Sequence, residues 1–389
     1  MSDIQVPIRA ITHGPKFHWY SYYDKLQFGH AGRYVLAMEV DFEHRSPRPD
    51  DVVRLGMIDL TQGDRWVPLG ETRSWCWQQG CMLQWVPGAR AAGAKVIWND
   101  RDGDNFVSRV MDVATLATKT IPFPIYTVSP DGAEAVSPDF SRIQDMYPGY
   151  GYAGPPDLWK EDLAPEESGI YNVDLLTGRH RLIISVAQVA AIPYPHADTS
   201  GCKHYFNHLL FNQDGSRFIF LDRWLGPEGQ PWVTRMITAA PDGSDLRVVD
   251  DYGRTSHFIW RDPQHILAWG WHPLADSAFY LYDERTREVE PVGKGIMTRD
   301  GHCSYLAGGE WILCDSYPDG EQRQELYLFH VPTERKVTLG RFLSPRAYRD
   351  EWRCDLHPRS SPDGRMVTID SPHEGGRQIY LLDISDIVR

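Results

Sequence analysis

Residues 356–369 read LHPRSSPDGRMVTI, and the same design recurs upstream as GHCSYLAGGEWIL at 301–313, SHFIWRDPQHILAW at 256–269 and NHLLFNQDGSRFIF at 207–220. Each string carries a histidine seven positions before a turn residue: His208 before Gly215, His257 before Gln264, His302 before Gly309 and His357 before Gly364. Repeat folds bring equivalent slots together around one axis, so side chains distant along the chain converge in space. With 15 histidines among 389 residues, four consecutive hits at one slot are a chance event of roughly one in tens of thousands. The slot is therefore where function is to be sought.

Working outward from these strings, three further units align on Gly32, Gly88 and Gly132. Spacings run from the mid-forties to the mid-fifties, with one gap of 83 between Gly132 and Gly215. Short apolar runs of strand type follow each turn, and Asp-Gly turns punctuate them at 131–132, 214–215, 242–243 and 363–364. Two more strands complete each unit, as in FYLYDERTREVEPVG, ELYLFHVPTERKVTLG and QIYLLDISDIV, commonly joined by a Thr-containing turn. A helical stripe is faint, near Ser185–Ala191. This grammar predicts an all-β fold, a seven-bladed β-propeller with four-stranded blades, as one domain over residues 1–389. The segment Gln5–Ala10 is expected to complete the last blade and close the ring, removing two sheet edges. The long gap reads as an insertion loop at 137–169, rich in Pro, Gly, Tyr and acid. Its Tyr147, Tyr150, Tyr152 and Trp159 either stack on sugar rings or pin the loop to the blade beneath.

The net charge of −13 argues against a nucleic-acid surface, since no basic stripe is present to displace counterions from phosphates. It leaves room for an anionic small ligand in a local cationic pocket. The opening MSDIQVPIRAITHG has neither a basic n-region nor an apolar h-region, and no run of eighteen apolar residues occurs. The expectation is a cytoplasmic protein without membrane association, whose six cysteines are reduced.

In a propeller the innermost strands line the central channel, and the seven slots read Lys25, Cys81, Ile125, His208, His257, His302 and His357 around the ring. Four imidazoles on adjacent blades point to a metal site, because neutral imidazole is the commonest side-chain ligand. Asp355 lies two residues before His357, on the same strand face. A mixed site of these histidines with Asp355 suits a borderline divalent ion such as manganese, iron, zinc or nickel; calcium would want more oxygen donors. HWYSYYDK supplies His18, Tyr22, Tyr23 and Lys25, KHYFNH supplies His204 and Asn207, WRCDLH supplies Arg353 and VTRM supplies Arg235. Cations on half-buried strands need partners, either an anionic ligand or local acids such as Asp222. Removal of the proton α to a sugar carboxylate, followed by loss of the O4 substituent, needs this combination of cations and bases. His208 and His257 lead as the base, with Lys25 and the Tyr22/Tyr23 pair behind. His18, Tyr22, His204, Asn207 and Arg353 are the expected substrate contacts.

These residues resemble those of the oligogalacturonate lyases, seven-bladed propellers that cleave short pectic uronides by metal-assisted β-elimination. The resemblance covers most of the chain and is best at the four histidine strings and at TRMITAAPDGSDLR. It implies a manganese ion held by His302 and His357, a near-metal role for His257, a role for Arg235 in carboxylate binding or proton transfer, and a counterpart for Lys25. A second last-blade histidine of that family falls at Asp355, and its glutamine ligand falls near Trp352 and Arg353, without a counterpart. The reading is therefore a metal-dependent lyase for uronic-acid oligosaccharides, with galacturonate, glucuronate or rhamnose-linked substrates all open. The alternatives are a metal-dependent hydrolase or epimerase of sugar acids and a non-catalytic propeller that binds carbohydrate or a partner.

Overall fold

In the computed structural model, residues 5–88, 94–225 and 232–389 are described. Their strands form seven four-stranded antiparallel sheets, arranged as the blades of a propeller. Blade one runs Phe17–Trp19, Tyr34–Val40, Val53–Asp59 and Arg65–Thr72 from the channel outward. Blade seven takes Arg359–Ser360, Met366–Ser371 and Gln378–Asp383 from the C-terminal end and Ile8–Ala10 from the N-terminal end. The closing strand pairs Ile8 with Leu382 and Ala10 with Tyr380, so the ring is sealed as the sequence predicts.

The repeated turn has one backbone geometry. Gly32, Gly88, Gly132, Gly215, Gly309 and Gly364 all have φ between 69° and 74°, a left-handed conformation that an L side chain resists. At five of them the glycine N–H donates to the carbonyl three residues earlier, for example Gly215 to Asn212 at 3.2 Å and Gly364 to Ser361 at 2.9 Å. Gln264 replaces glycine in blade five, where its N–H instead donates to the Asp262 carboxylate at 3.0 Å.

Burial follows the blades. Trp19, Leu55, Leu83 and Val96 pack between blades one and two, Leu221, Met236, Phe258 and Ala268 between four and five, and Leu313, Leu328, Val367 and Tyr380 between six and seven. Polar crossings tie neighbouring blades at the channel. Asn99 bridges to Ile125 in both directions, its amide donating to the carbonyl at 2.7 Å and its carbonyl accepting from the N–H at 2.8 Å. All six cysteines are free and buried. No helix among the described residues is long and apolar enough to cross a membrane.

Two departures from the regular blade shape the channel mouth. In blade one the chain leaves the inner strand after Trp19 and rejoins the sheet at Phe28, bridged to Val35. The intervening segment carries Tyr22, Tyr23, Asp24 and Lys25 into the channel as a buried plug. The insertion at 137–169 holds helix α1 (Phe140–Met146), capped by Asp139, whose carboxylate accepts from the N–H groups of Ser141 and Arg142. Arg142 is buried and donates to the carbonyls of His204, Trp159, Asp162 and Leu163 at 2.7 to 3.1 Å, which knots the insertion onto blade four. The weak helical stripe is helix α2 (Val186–Ala190), with Ser185 as its N-cap.

Candidate metal centre and adjoining cavity

The four slot histidines converge. Ring centroids of His257 and His302 are 4.2 Å apart, as are those of His302 and His357. Tyr22 of the plug lies between 4.9 and 6.5 Å from all four rings, and Tyr23 between 5.2 and 6.4 Å. The backbone aims two of them. His208 has φ of 50° at a β-bulge between Asn207 and Leu210, and His357 has φ of 41° just before its strand. Positive φ at a bulky residue costs of order 1–3 kcal/mol and clusters where a side chain must be aimed.

His302, Asp355 and His357 are buried, and a ligand atom of each lies within 4.8 Å of the others. The Nε2 atoms of His302 and His357 are buried without a hydrogen-bond partner, a costly state for polar atoms that a cation would relieve. Asp315 fixes the pair from behind. Its carboxylate accepts from the backbone N–H of His302 at 2.7 Å and of His357 at 3.1 Å, and both oxygens lie 3.0 Å from His302 Nδ1. That contact makes Nδ1 the protonated nitrogen and leaves Nε2 as the lone-pair donor, the usual carboxylate support of a metal-binding imidazole. Burial disfavours the protonated form of His302, but Asp315, by charge and hydrogen bond, together with Asp355 and Asp300 lifts the pKa. Burial, with His302 and Arg359 nearby, holds His357 well below its ordinary value and so neutral, as a ligand must be. Two imidazoles and one carboxylate fit a borderline divalent ion.

Beside this cluster lies a cavity of about 350 Å3. Its cations are Arg223 and Arg353, its phenols Tyr22, Tyr147, Tyr150 and Tyr317, and Asn207, His208, Ser256 and His257 complete the wall. Arg353 bridges cavity and cluster, donating from Nε to Asp355 at 2.7 Å and from its other end to the Tyr150 hydroxyl. His257 Nδ1 lies 2.9 Å from Asp300, which leaves Nε2 facing the Tyr317 hydroxyl at 3.5 Å. The insertion sends its aromatics to different places. Tyr147 and Tyr150 reach the cavity, whereas Tyr152 stacks on Phe140 at 4.3 Å and bonds Asn99, and Trp159 lines a separate surface groove.

Five expected site residues lie elsewhere or are otherwise engaged. Arg235 is a correction: it is buried against Asp222 at 2.8 Å, donates to the carbonyls of Val189 and Ile192, and does not line the cavity. His204 shares that cluster, its Nδ1 3.0 Å from Asp222 and its ring stacked on Trp224. His18 is held by Gln378 at 2.8 Å and Glu39 at 3.3 Å, away from the cavity. Tyr23 sits among the histidines, but its hydroxyl donates to the Phe258 carbonyl at 2.7 Å and accepts from the Phe258 N–H at 3.0 Å, so it is a peg and not a base. Lys25 is buried beside Asp24 at 3.0 Å, off the cavity wall. Tyr22, Asn207, His208, His257 and Arg353 do line the cavity.

Sequence reasoning missed Arg223, Tyr317, Asp300 and Asp315. Arg223 and Asp315 left a trace, a charged residue inside an apolar second strand in FIFLDRWL and WILCD. Strand alternation sends Asp222 to the Arg235 face and Arg223 to the opposite, cavity face.

No family model and no curated protein matches this sequence. Solved structures do match its fold. An oligogalacturonate lyase in complex with manganese superposes with a TM-score of 0.70 at 18% identity, over 99% of this chain and 95% of that one. An oligogalacturonate lyase from Vibrio parahaemolyticus gives 0.69 at 16% identity, over 98% and 96%. A puromycin-hydrolyzing peptidase of Mycobacterium tuberculosis gives 0.55 at 15% identity, and this chain spans only 55% of its length. The fold is that of the lyases over nearly the whole of both chains.

Proposed function

We propose that this protein is a metal-dependent lyase that cleaves uronic-acid oligosaccharides by β-elimination, acting in the cytoplasm as a single propeller domain. The observation that carries the reading is the pair of partnerless buried Nε2 atoms on His302 and His357, with the Asp355 carboxylate, next to a cavity holding two arginines. His302, His357 and Asp355 would hold the divalent ion, manganese by preference, and its chemistry there is to draw charge from the substrate carboxylate as the α-carbon loses its proton.

The remaining work falls to the chain's own groups. Arg223 has a buried Nε without a partner and takes the sugar carboxylate, with Arg353 beside it. His257 removes the proton, since Asp300 fixes its tautomer and leaves Nε2 free to accept. Burial keeps Tyr22 and Tyr317 protonated, so their hydroxyls can donate to the departing O4 oxygen. The overlap over nearly the whole chain with two oligogalacturonate lyases, one in complex with manganese, supports this reading over the peptidase propellers.

The test is incubation with a panel of uronide oligosaccharides and added divalent ions, followed by ultraviolet absorbance. Growth of the band of a 4,5-unsaturated uronide supports elimination. New reducing ends without that band would make the protein a hydrolase.

A further inference from the structure

The plug places a charged pair, Asp24 and Lys25, under the cavity where the elimination chemistry has no use for either. Both side chains are buried, at 0% and 1% exposure, and Lys25 Nζ lies 3.0 Å from the Asp24 carboxylate and 4.5 Å over the Tyr126 ring. Lys25 donates to Asp24 Oδ2 at 3.1 Å, and the same oxygen lies 3.4 Å from His208 Nε2. His208 lines the cavity, and its Nε2 is buried with no hydrogen-bond partner, Asp24 being its nearest carboxylate, which leaves Nδ1 as the nitrogen for a ligand. The ring has little freedom to turn, stacked on Phe258 at 3.9 Å and edge-on to Tyr22 at 4.9 Å.

One buried carboxylate thus faces two groups that can carry positive charge. An unpaired carboxylate in such surroundings would hold a proton on the imidazole, because a buried charge without a partner is costly. Lys25 already neutralises Asp24, so a second cation at His208 would leave net positive charge in the channel. The titratable and charged groups facing His208 are Asp24, Lys25, Tyr22 and Tyr23 on the plug, His257 on blade five and Arg223 across the cavity. Phe258, the face it stacks on, is apolar.

We infer that Lys25 and Asp24 form a buried charge lock that holds His208 neutral, as the Nε2–H tautomer, so that Nδ1 accepts a hydrogen bond from a sugar hydroxyl in the cavity. Lys25 and Asp24 are positioning residues, acting through His208 without touching the substrate. The hydroxyl partner rests on the uronide reading; the lock itself does not. Burial is the largest influence and lowers the His208 pKa to about 4; Lys25 acts in the same direction and offsets the pull of Asp24 toward the imidazolium.

The test is nitrogen NMR of protein labelled at histidine, with the His208 signals assigned by their loss in His208→Gln. The lock predicts a neutral Nε2–H imidazole in the wild type at neutral pH. In Lys25→Met the same ring becomes the imidazolium, its titration midpoint moving from about 4 to above roughly 7. In the double variant Asp24→Asn/Lys25→Met, which buries no net charge, His208 returns to neutral. A wild-type Nδ1–H tautomer, or a His208 that stays neutral in Lys25→Met, overturns the inference. Should Lys25→Met fail to fold, Lys25→Gln, which keeps a hydrogen bond to Asp24 without the charge, is read in the same way: an imidazolium supports the lock and a neutral ring overturns it. No substrate is needed, so failure here is separable from failure of the lyase assay.

Discussion

Asp315 holds His302 and His357 together: one carboxylate, on the second strand of blade six, accepts from the backbone N–H of both histidines and faces the His302 Nδ1. The two imidazoles come from different blades, so their relative placement depends on this one side chain as well as on the sheets.

Replacing Asp315 with Asn keeps the size but removes the charge that orients His302 and makes it a better donor. Affinity for Mn2+ is expected to fall about 10- to 100-fold, read by paramagnetic resonance of free ion during titration. Unchanged affinity would leave Asp315 with a purely structural role.

Arg235, which the sequence singled out, and Arg223, which it did not, should differ in kind. Arg223→Ala is expected to reduce kcat/KM on a free uronide about 10- to 100-fold, the worth of a charge-assisted hydrogen bond in a desolvated cavity. On the methyl-esterified substrate it should change little. Arg235→Ala removes the buried guanidinium from Asp222, leaving His204 as its remaining partner, and should cost about 3–5 kcal/mol of stability, seen in urea unfolding. An Arg235→Ala protein of normal stability with selective loss on free carboxylates would reverse the assignment.

Tyr23→Phe leaves the N–H and carbonyl of Phe258 without a buried partner. A loss of about 1–3 kcal/mol in unfolding free energy is expected, with turnover retained by the folded protein. Abolished turnover at full stability would restore Tyr23 as a base.

A stability test at a distance from the site uses Asp250. Burial pushes this carboxyl from 3.8 up to about 6, despite hydrogen bonds from Thr255 and Tyr282. Between those values the folded state binds the extra proton, so its contribution is complete below about pH 4 and is lost as pH rises through about 6. The loss is on the order of 3 kcal/mol. Asp250→Asn should therefore gain stability relative to wild type as pH goes from 4 to 7. A difference that does not change with pH would contradict the shift.

The sequence carried the architecture well for a physical reason. A left-handed turn needs glycine, and six of seven blades obey, so the repeat shows through despite varied strands. The convergence of His208, His257, His302 and His357 follows from the same register. What stayed hidden depends on loops that break the repeat. The excursion from Tyr20 to Gln27 turns Tyr22 and Tyr23 into a plug and drops Lys25 beneath the cavity, and no periodicity announces such a detour. Arg235 stood out in the sequence and Arg223 did not; strand pairing sets Asp222 against Arg235 and turns Arg223 to the cavity. Tyr317 and Asp300 flank the blade-six strand ends, where spacing gives no signal.

The account stands most directly on where a cation binds. Crystals soaked in Mn2+ and measured at its absorption edge should show one strong anomalous peak, coordinated by His302 Nε2, His357 Nε2 and an Asp355 oxygen. No peak among these three residues at saturating Mn2+, or one that persists there in His357→Ala, would contradict it.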